Sequence, residues 1–315
     1  MTLATLPIQQ GAMTEPPIHP YRLGATLYMP ATRDDIWQII TREKIPEVDS
    51  MVICLEDAVN EVDIEQAMNK LCQLLAQWQT FQASHPDFAR PLVFIRPRHA
   101  AMLTVLATWP NIGLVDGFVL PKIDMLTLAD WRLACQALPN EQLLMPTLET
   151  RAIFNPIHNH ELAVALTEGF NQSILALRIG GNDLLACLRL RRLPDVTIYQ
   201  SPIGLLIHQL IACFVPYGFY LTAPVFEYLD KPDLFAQELQ QDVALGLVGK
   251  TVIHPSQIAA VKHAFAVNET DLSQAQAIVA ADAKAVFKQN NAMLEPATHR
   301  AWANSILARW ESSKI

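Results

Sequence analysis

Leu143-Leu144-Met145-Pro146-Thr147-Leu148-Glu149-Thr150 is an apolar run that ends on a single carboxylate. With Pro146 inside it and polar residues after it, the run reads as a buried strand whose C-terminal end delivers Glu149 to a site. A second run, Ile174-Leu175-Ala176-Leu177-Arg178-Ile179, closes the same way, on Gly180-Gly181-Asn182-Asp183. Acidic residues on the ends of two neighbouring parallel strands can share one hard divalent cation. Mg²⁺ (or Mn²⁺) suits them, since it takes oxygen ligands and is commonly held by one or two carboxylates plus water and substrate. Each acid also has an ordinary structural use: Glu149 in capping a turn, Asp183 as N-cap of a helix starting at Leu184. The pairing of the two, and what surrounds them, favours a site.

Working outward, the same unit recurs. Ala25-Thr26-Leu27-Tyr28-Met29, Met51-Val52-Ile53-Cys54-Leu55, Pro91-Leu92-Val93-Phe94-Ile95 and Gly117-Phe118-Val119-Leu120 read as strands before it. Phe219-Tyr220-Leu221-Thr222 and Lys250-Thr251-Val252-Ile253 read as strands after it. Helical spacing fills the intervals from Arg33 to Thr41, Glu61 to His85, Ala100 to Thr108, Pro202 to Tyr217 and Lys231 to Leu245. Strands alternating with helices imply parallel pairing through right-handed crossovers, and eight of them predict an α/β fold closed as a TIM (β/α)₈ barrel. The C-terminal ends of all the strands then open on one face, where they carry Glu56, Asp57, Arg96, Lys122, Glu149 and Asp183.

The barrel is expected over residues 21–265, after a loose tail at 1–20 and before a helical extension at 266–315. In the extension, Asp271 to Gln289 reads as an Ala-rich helix capped by Asp271 or Ser273 and broken at Asn290-Asn291, and Ala297 to Trp310 as another. Such an appendage either closes the barrel's open face or reaches a neighbouring subunit. At 315 residues, 51% hydrophobic, the chain can bury a large core. A net charge of −8 with no basic cluster argues against nucleic acid as a partner. Five Cys without a Cys-x-x-Cys pair read as reduced core residues of a cytoplasmic protein. Neither a membrane span nor a signal peptide is expected. His158 and His160 flank Asn159 in a polar stretch that reads as a surface loop, and His254-Pro255 reads as a packed turn.

Several motifs together resemble one family. Cys54-Leu55-Glu56-Asp57-Ala58-Val59 is similar to D-L-E-D-A-V, and Asp116-Gly117-Phe118-Val119-Leu120-Pro121-Lys122 to D-G-I-V-L-P-K. Leu148-Glu149-Thr150 resembles I-E-T, and Ile179-Gly180-Gly181-Asn182-Asp183-Leu184 resembles F-G-x-x-D-L. Gly249-Lys250-Thr251-Val252-Ile253-His254-Pro255-Ser256-Gln257 follows G-K-x-x-I-H-P-x-Q. All five belong to the citrate lyase β-subunit-like (CitE-like) branch of the HpcH/HpaI aldolase/citrate lyase superfamily, and the likeness runs from about Thr26 to Trp302.

The resemblance implies a trimeric or hexameric barrel that breaks or forms a carbon–carbon bond in hydroxyacyl thioesters, using Mg²⁺. It implies Glu149 and Asp183 as metal ligands, and Arg96 as the cation facing substrate oxygens. Glu56 and Asp57 would order metal-bound waters, and Glu295 would be an acid or base carried by the C-terminal segment. Gly180, Gly181, Pro121 and Lys122 would line the substrate site. The substrate would be a citramalyl-, malyl- or citryl-type thioester of CoA or an acyl carrier, and the assembly a homotrimer. The chain departs from the pattern at Gly24-Ala25 (usually Arg-Ser), Pro97 (Asn or Thr), Leu221-Thr222 (Ile-Asp) and Glu295 (Asp). The alternatives from other classes are a nucleotide-binding enzyme, which lacks any G-x-G-x-x-G or P-loop, and a barrel that binds an acyl group or a protein without turnover.

Overall fold

Eight short parallel strands carry the chain around a ring in the computed structural model, which describes residues 16–314. They are β1 (Gly24–Pro30), β2 (Ser50–Cys54), β3 (Leu92–Arg96), β4 (Gly117–Leu120), β5 (Leu143–Leu148), β6 (Leu177–Ile179), β7 (Leu221–Thr222) and β8 (Gly249–Val252). Their order is β7-β6-β5-β4-β3-β2-β1-β8. The ends of that order meet: Val248 N–H donates to Leu221 C=O at 3.0 Å and Ala223 N–H to Gly249 C=O at 2.8 Å. The predicted TIM barrel is the fold. Of the predicted tail, residues 1–15 lie outside the described residues.

The strands are apolar on both faces because both are covered. Val52, Phe94, Val119 and Met145 fill the barrel, while Met51, Ile53, Val93, Ile95 and Leu144 pack outward against the helices. Gly117 has a spatial reason to be glycine: a Cβ there would overlap the backbone of Leu143 on the next strand. The helices are α1 (Ile36–Ile40), α2 (Ile64–Ser84), α3 (Ala100–Ala107), α4 (Leu128–Cys135), α5 (Pro156–Leu166), α6 (Gly181–Cys187), α7 (Pro202–Phe214), α8 (Pro232–Ala244) and α9 (Ile258–Phe265). In α2 the buried face is Ala67, Leu71, Leu74, Leu75 and Trp78, a helical repeat readable in the sequence.

Three expectations fail. Of the five Cys only Cys54 and Cys135 are core residues, Cys213 being half-buried and Cys72 and Cys187 exposed. His158 and His160 lie in α5, not in a loop. Pro156 starts that helix and the Asn155 side chain caps Ile157 N–H at 3.0 Å. The polar stretch concealed it because Asn159 sits on the buried face, donating to Ile153 C=O at 2.7 Å. The Ala-rich segment also does not run to Gln289. Capped by Asn268, α10 (Glu269–Val279) stops early, and the chain then forms a hairpin of β9 (Phe287–Gln289) and β10 (Ala292–Leu294) before α11 (Pro296–Ser312). Asn290 and Asn291 both have positive φ, 49° and 62°, so this pair turns a hairpin rather than merely ending a helix.

Outside the barrel wall, Lys250 of β8 is buried between Glu238 at 3.0 Å and Asp242 at 2.8 Å, both on α8. Glu238 also pairs with Arg192, and Asp242 accepts from the Tyr199 hydroxyl, so this cluster pins the α6–α7 connection to α8. Removing one member of a buried, mutually neutralised set strands the others. Lys250→Ala is therefore expected to lose about 3–5 kcal/mol of stability, read as a lower denaturant midpoint at unchanged slope.

Candidate active site

The strand ends bring five of the sequence-predicted groups into one contact network. Arg96, at the end of β3, places Nη2 2.9 Å from Glu56 Oε2 and 3.0 Å from Glu149 Oε1. Lys122, whose backbone turns through φ 52° just beyond β4, donates its N–H to the same Glu149 oxygen at 2.8 Å. Its ammonium pairs with Glu56 and lies 3.4 Å from Asp57. Arg96 thus bridges Glu56 and Glu149.

Asp183 is not an N-cap. It lies in the first turn of α6, whose N-cap is Gly180, and its carboxylate makes no hydrogen bond or ion pair among the described residues. A carboxylate in a helix's first turn is favoured by the helix dipole while staying available to a ligand. Glu149 and Asp183 line one open cavity of about 550 Å³, with Asp57, Arg96, Gly180 and Asn182 around it. Pro121 is buried behind this wall and does not line it. Neither does Lys122, whose side chain reaches the site only through Glu56 and Asp57.

Electrostatics distinguish these acids. Burial is the main force on Glu149, raising its carboxyl to about 7 against the pull of Arg96, with Asp183 pushing the same way as burial. Burial raises Glu56 too, partly opposed by Arg96 and Lys122. Burial would lower Arg96, but Glu149 and Glu56 hold it protonated above its usual range. Glu149 is slow to ionise because burial and the Asp183 carboxylate together outweigh the pull of Arg96. The donors these two acids offer are oxygens, which fits a hard divalent cation. Among the described residues no group of three His, Cys, Asp or Glu gathers, so two carboxylates are what the chain offers, as Mg²⁺ accepts when water or substrate completes its shell.

Gly180 controls this geometry through space rather than backbone angle. A Cβ there would fall inside the contact distance of Glu149 Cβ and Oε2. Gly180→Ala is expected to displace the Glu149 carboxylate and weaken Mn²⁺ affinity by roughly 10–100-fold, the range for disturbed ligand support. Calorimetry on the folded variant checks it; unchanged affinity would separate Gly180 from the metal site.

Glu295 is not brought to this cavity. It is exposed, precedes α11, and its N–H donates to His299 Nδ1 at 3.1 Å. Helix α11 packs by Trp302, Ser305 and Arg309 near Tyr21 and Gly246, at the end of the barrel where the strands begin. The extension therefore does not close the open face of its own barrel. At that same far end, Gly24 has φ 48° and faces Asp49, so the departure at Gly24-Ala25 does not touch the cavity. Sequence reasoning missed Tyr28, Thr147, Arg178 and Thr251, which line the cavity from inside the strands. Their signal was a polar residue at an interior position of an apolar run, clearest in Arg178.

Over 278 residues the chain is 26% identical to a citrate lyase subunit beta-like protein of Deinococcus radiodurans, covering 87% of this chain and 90% of the relative. A citrate lyase structure from Burkholderia xenovorans LB400 superposes with TM-score 0.70 at 18% identity, over 96% of this chain and 95% of its own. The protein CitE of Mycobacterium tuberculosis, in complex with magnesium, acetoacetate and coenzyme A, gives TM-score 0.64 at 19% identity over 92% and 99%. At such identities these structures speak for the fold alone. A model of C–C bond lyases of the TIM-barrel fold matches residues 17–312, nearly the whole chain, and the protein belongs to that family.

Proposed function

We propose that the protein is a Mg²⁺-dependent carbon–carbon lyase that cleaves a short hydroxyacyl-CoA thioester, of citramalyl, malyl or citryl type, to acetyl-CoA and a 2-oxoacid. The observation that carries this reading is the unpartnered Asp183 carboxylate sharing a cavity with Glu149, whose buried carboxyl is raised to about 7. Magnesium and coenzyme A in the complex of the Mycobacterium relative support it. Glu149 and Asp183 would hold the cation, which when bound supplies Lewis acidity to the oxygens of the oxo acid. Arg96 is a fixed positive charge beside them, placed where enolate or carboxylate charge develops. Glu56 neutralises part of that charge and is itself held by Lys122, so Arg96 is fixed in orientation before substrate arrives. Asp57 lines the rim beside them, where it would order metal-bound water.

The reading is tested in the condensing direction. Acetyl-CoA, Mg²⁺ and each of pyruvate, glyoxylate and oxaloacetate are incubated with the protein, and products are weighed by mass spectrometry. A thioester equal in mass to acetyl-CoA plus one oxo acid is expected, and its mass names the acid. No such product from any acid favours a barrel that binds without turnover.

The apolar cluster of Ala275, Ile278, Leu294, Ala303 and Ile306 makes the extension a small packed unit of its own. Since Glu295 is remote from its own cavity, a site that uses it takes it from a neighbouring copy. The family resemblance implies a homotrimer as that assembly, and light scattering at micromolar concentration is expected to give three chain masses; one chain mass would contradict it.

A further inference from the structure

Below the rim, β6 turns Arg178 into the barrel, where it is 2% exposed. Its Nη2 donates to Thr251 Oγ1 at 2.5 Å, its Nη1 meets Met145 Sδ at 3.6 Å, and its guanidinium lies 5.1 Å from the Tyr28 ring centroid. Each of these contacts is neutral, and among the described residues no carboxylate forms an ion pair with Arg178. Its register partners are Thr147 on β5 and Thr222 on β7, and both hydroxyls are buried without a hydrogen-bond partner among the described residues. The other buried cations of this chain are treated differently: Lys250 meets two carboxylates, and Arg192 meets Glu238. Arg96 divides its charge between Glu56 and Glu149. Arg178 alone among these is stripped of water with no carboxylate in contact, Glu149 acting on it only across the cavity, a costly state that a bound anion relieves. Burial accordingly pulls its guanidinium below the usual arginine range.

The cavity is open to it. Arg178, Thr147, Thr251 and Tyr28 line the same space as Glu149 and Asp183. Thr251 accepts from Arg178 and so keeps its own hydroxyl proton free, while the Thr147 hydroxyl is unused. A planar fork flanked by two hydroxyl donors is the chemistry that recognises a carboxylate.

We infer that Arg178, Thr147 and Thr251 form a second anion subsite deep in the cavity, which receives a carboxylate at the far end of the acid fragment. The oxo acid released is then a dicarboxylic acid, with one end near Glu149 and Asp183 and the other on Arg178. The choice of acid rests on the lyase reading, whereas the anion subsite does not.

Calorimetry on the full chain separates the two. With Mg²⁺, wild-type protein is expected to bind oxaloacetate at least tenfold more tightly than pyruvate. In Arg178→Met that ratio falls to near one through loss of oxaloacetate affinity, and Arg178→Lys keeps part of it. The melting temperature of Arg178→Met is expected to equal or exceed that of wild type, because an unneutralised buried charge is gone; loss of a merely structural arginine would lower it. In EDTA, malonate is a dianion with no oxo group to bind, and its affinity is expected to drop at least tenfold in Arg178→Met. Malonate binding by wild type that vanishes in Arg178→Met, with no thioester made or cleaved, keeps the subsite and removes the lyase reading. A wild-type ratio near one, a ratio unchanged in both variants, or malonate binding indifferent to Arg178→Met overturns the subsite.

Discussion

Asp183→Ala is expected to abolish cleavage, by on the order of 10³-fold or more, about 4 kcal/mol of barrier, while the barrel stays folded. Asp183 makes no hydrogen bond or ion pair among the described residues, so its loss removes nothing that holds the barrel together. Glu149→Ala should be as damaging to activity and somewhat damaging to the fold, because Arg96 and the Lys122 N–H both lose an acceptor. Calorimetry with Mn²⁺ checks the cause: affinity should fall sharply in both variants, and unchanged affinity in either would remove it from the ligand set. The wild-type titration carries its own signature. Burial lifts the Glu149 carboxyl to about 7, and only the ionised form binds a cation. Mn²⁺ affinity should therefore be weaker at pH 6 than at pH 8.

Arg96→Ala is expected to lower kcat by on the order of 10²-fold or more, the size seen when one oxyanion donor is deleted. Arg96 is nearly buried and clamped between Glu56 and Glu149, so its charge cannot reorganise away from the reacting oxygens. That fixed charge gains most where negative charge develops, which is a transition-state effect rather than uniform binding. Removing it also leaves two buried carboxylates facing each other, so part of any loss is structural. Arg96→Lys distinguishes the contributions: a point charge restores neutralisation of the acids but not the planar fork. Partial recovery of kcat with full recovery of thermal stability is the expected pattern. Equal kcat in wild type and Arg96→Ala would remove Arg96 from the chemistry.

The barrel was legible because the strands are short apolar runs, five of them (β2 to β6) ending on or just before a charge, and because α2 and α7 repeat their apolar residues at helical spacing. The rim was legible for the same reason: Glu56, Arg96 and Glu149 interrupt runs that are otherwise apolar, and the fold gathers them. What failed was local. Asn159 hid α5 by filling a buried position with an amide whose NH2 donates to Ile153 C=O. Asn290-Asn291 looked like a helix stop, yet the positive φ of both residues turned a hairpin. Arg178 passed unnoticed inside an apolar run, because sequence shows neither which way a strand residue points nor whether a carboxylate waits opposite. The position of Glu295 depends on how a packed extension sits against the barrel, which periodicity does not encode.

Metal-dependent cleavage at the Glu149–Asp183 rim is read from a time course of oxo-acid release from citramalyl-, malyl- and citryl-CoA, with Mg²⁺ present, then chelated by EDTA, then restored. Release from at least one thioester that stops with chelation and resumes with Mg²⁺ is the predicted result. Absence of release from all three, or release indifferent to EDTA, would contradict it.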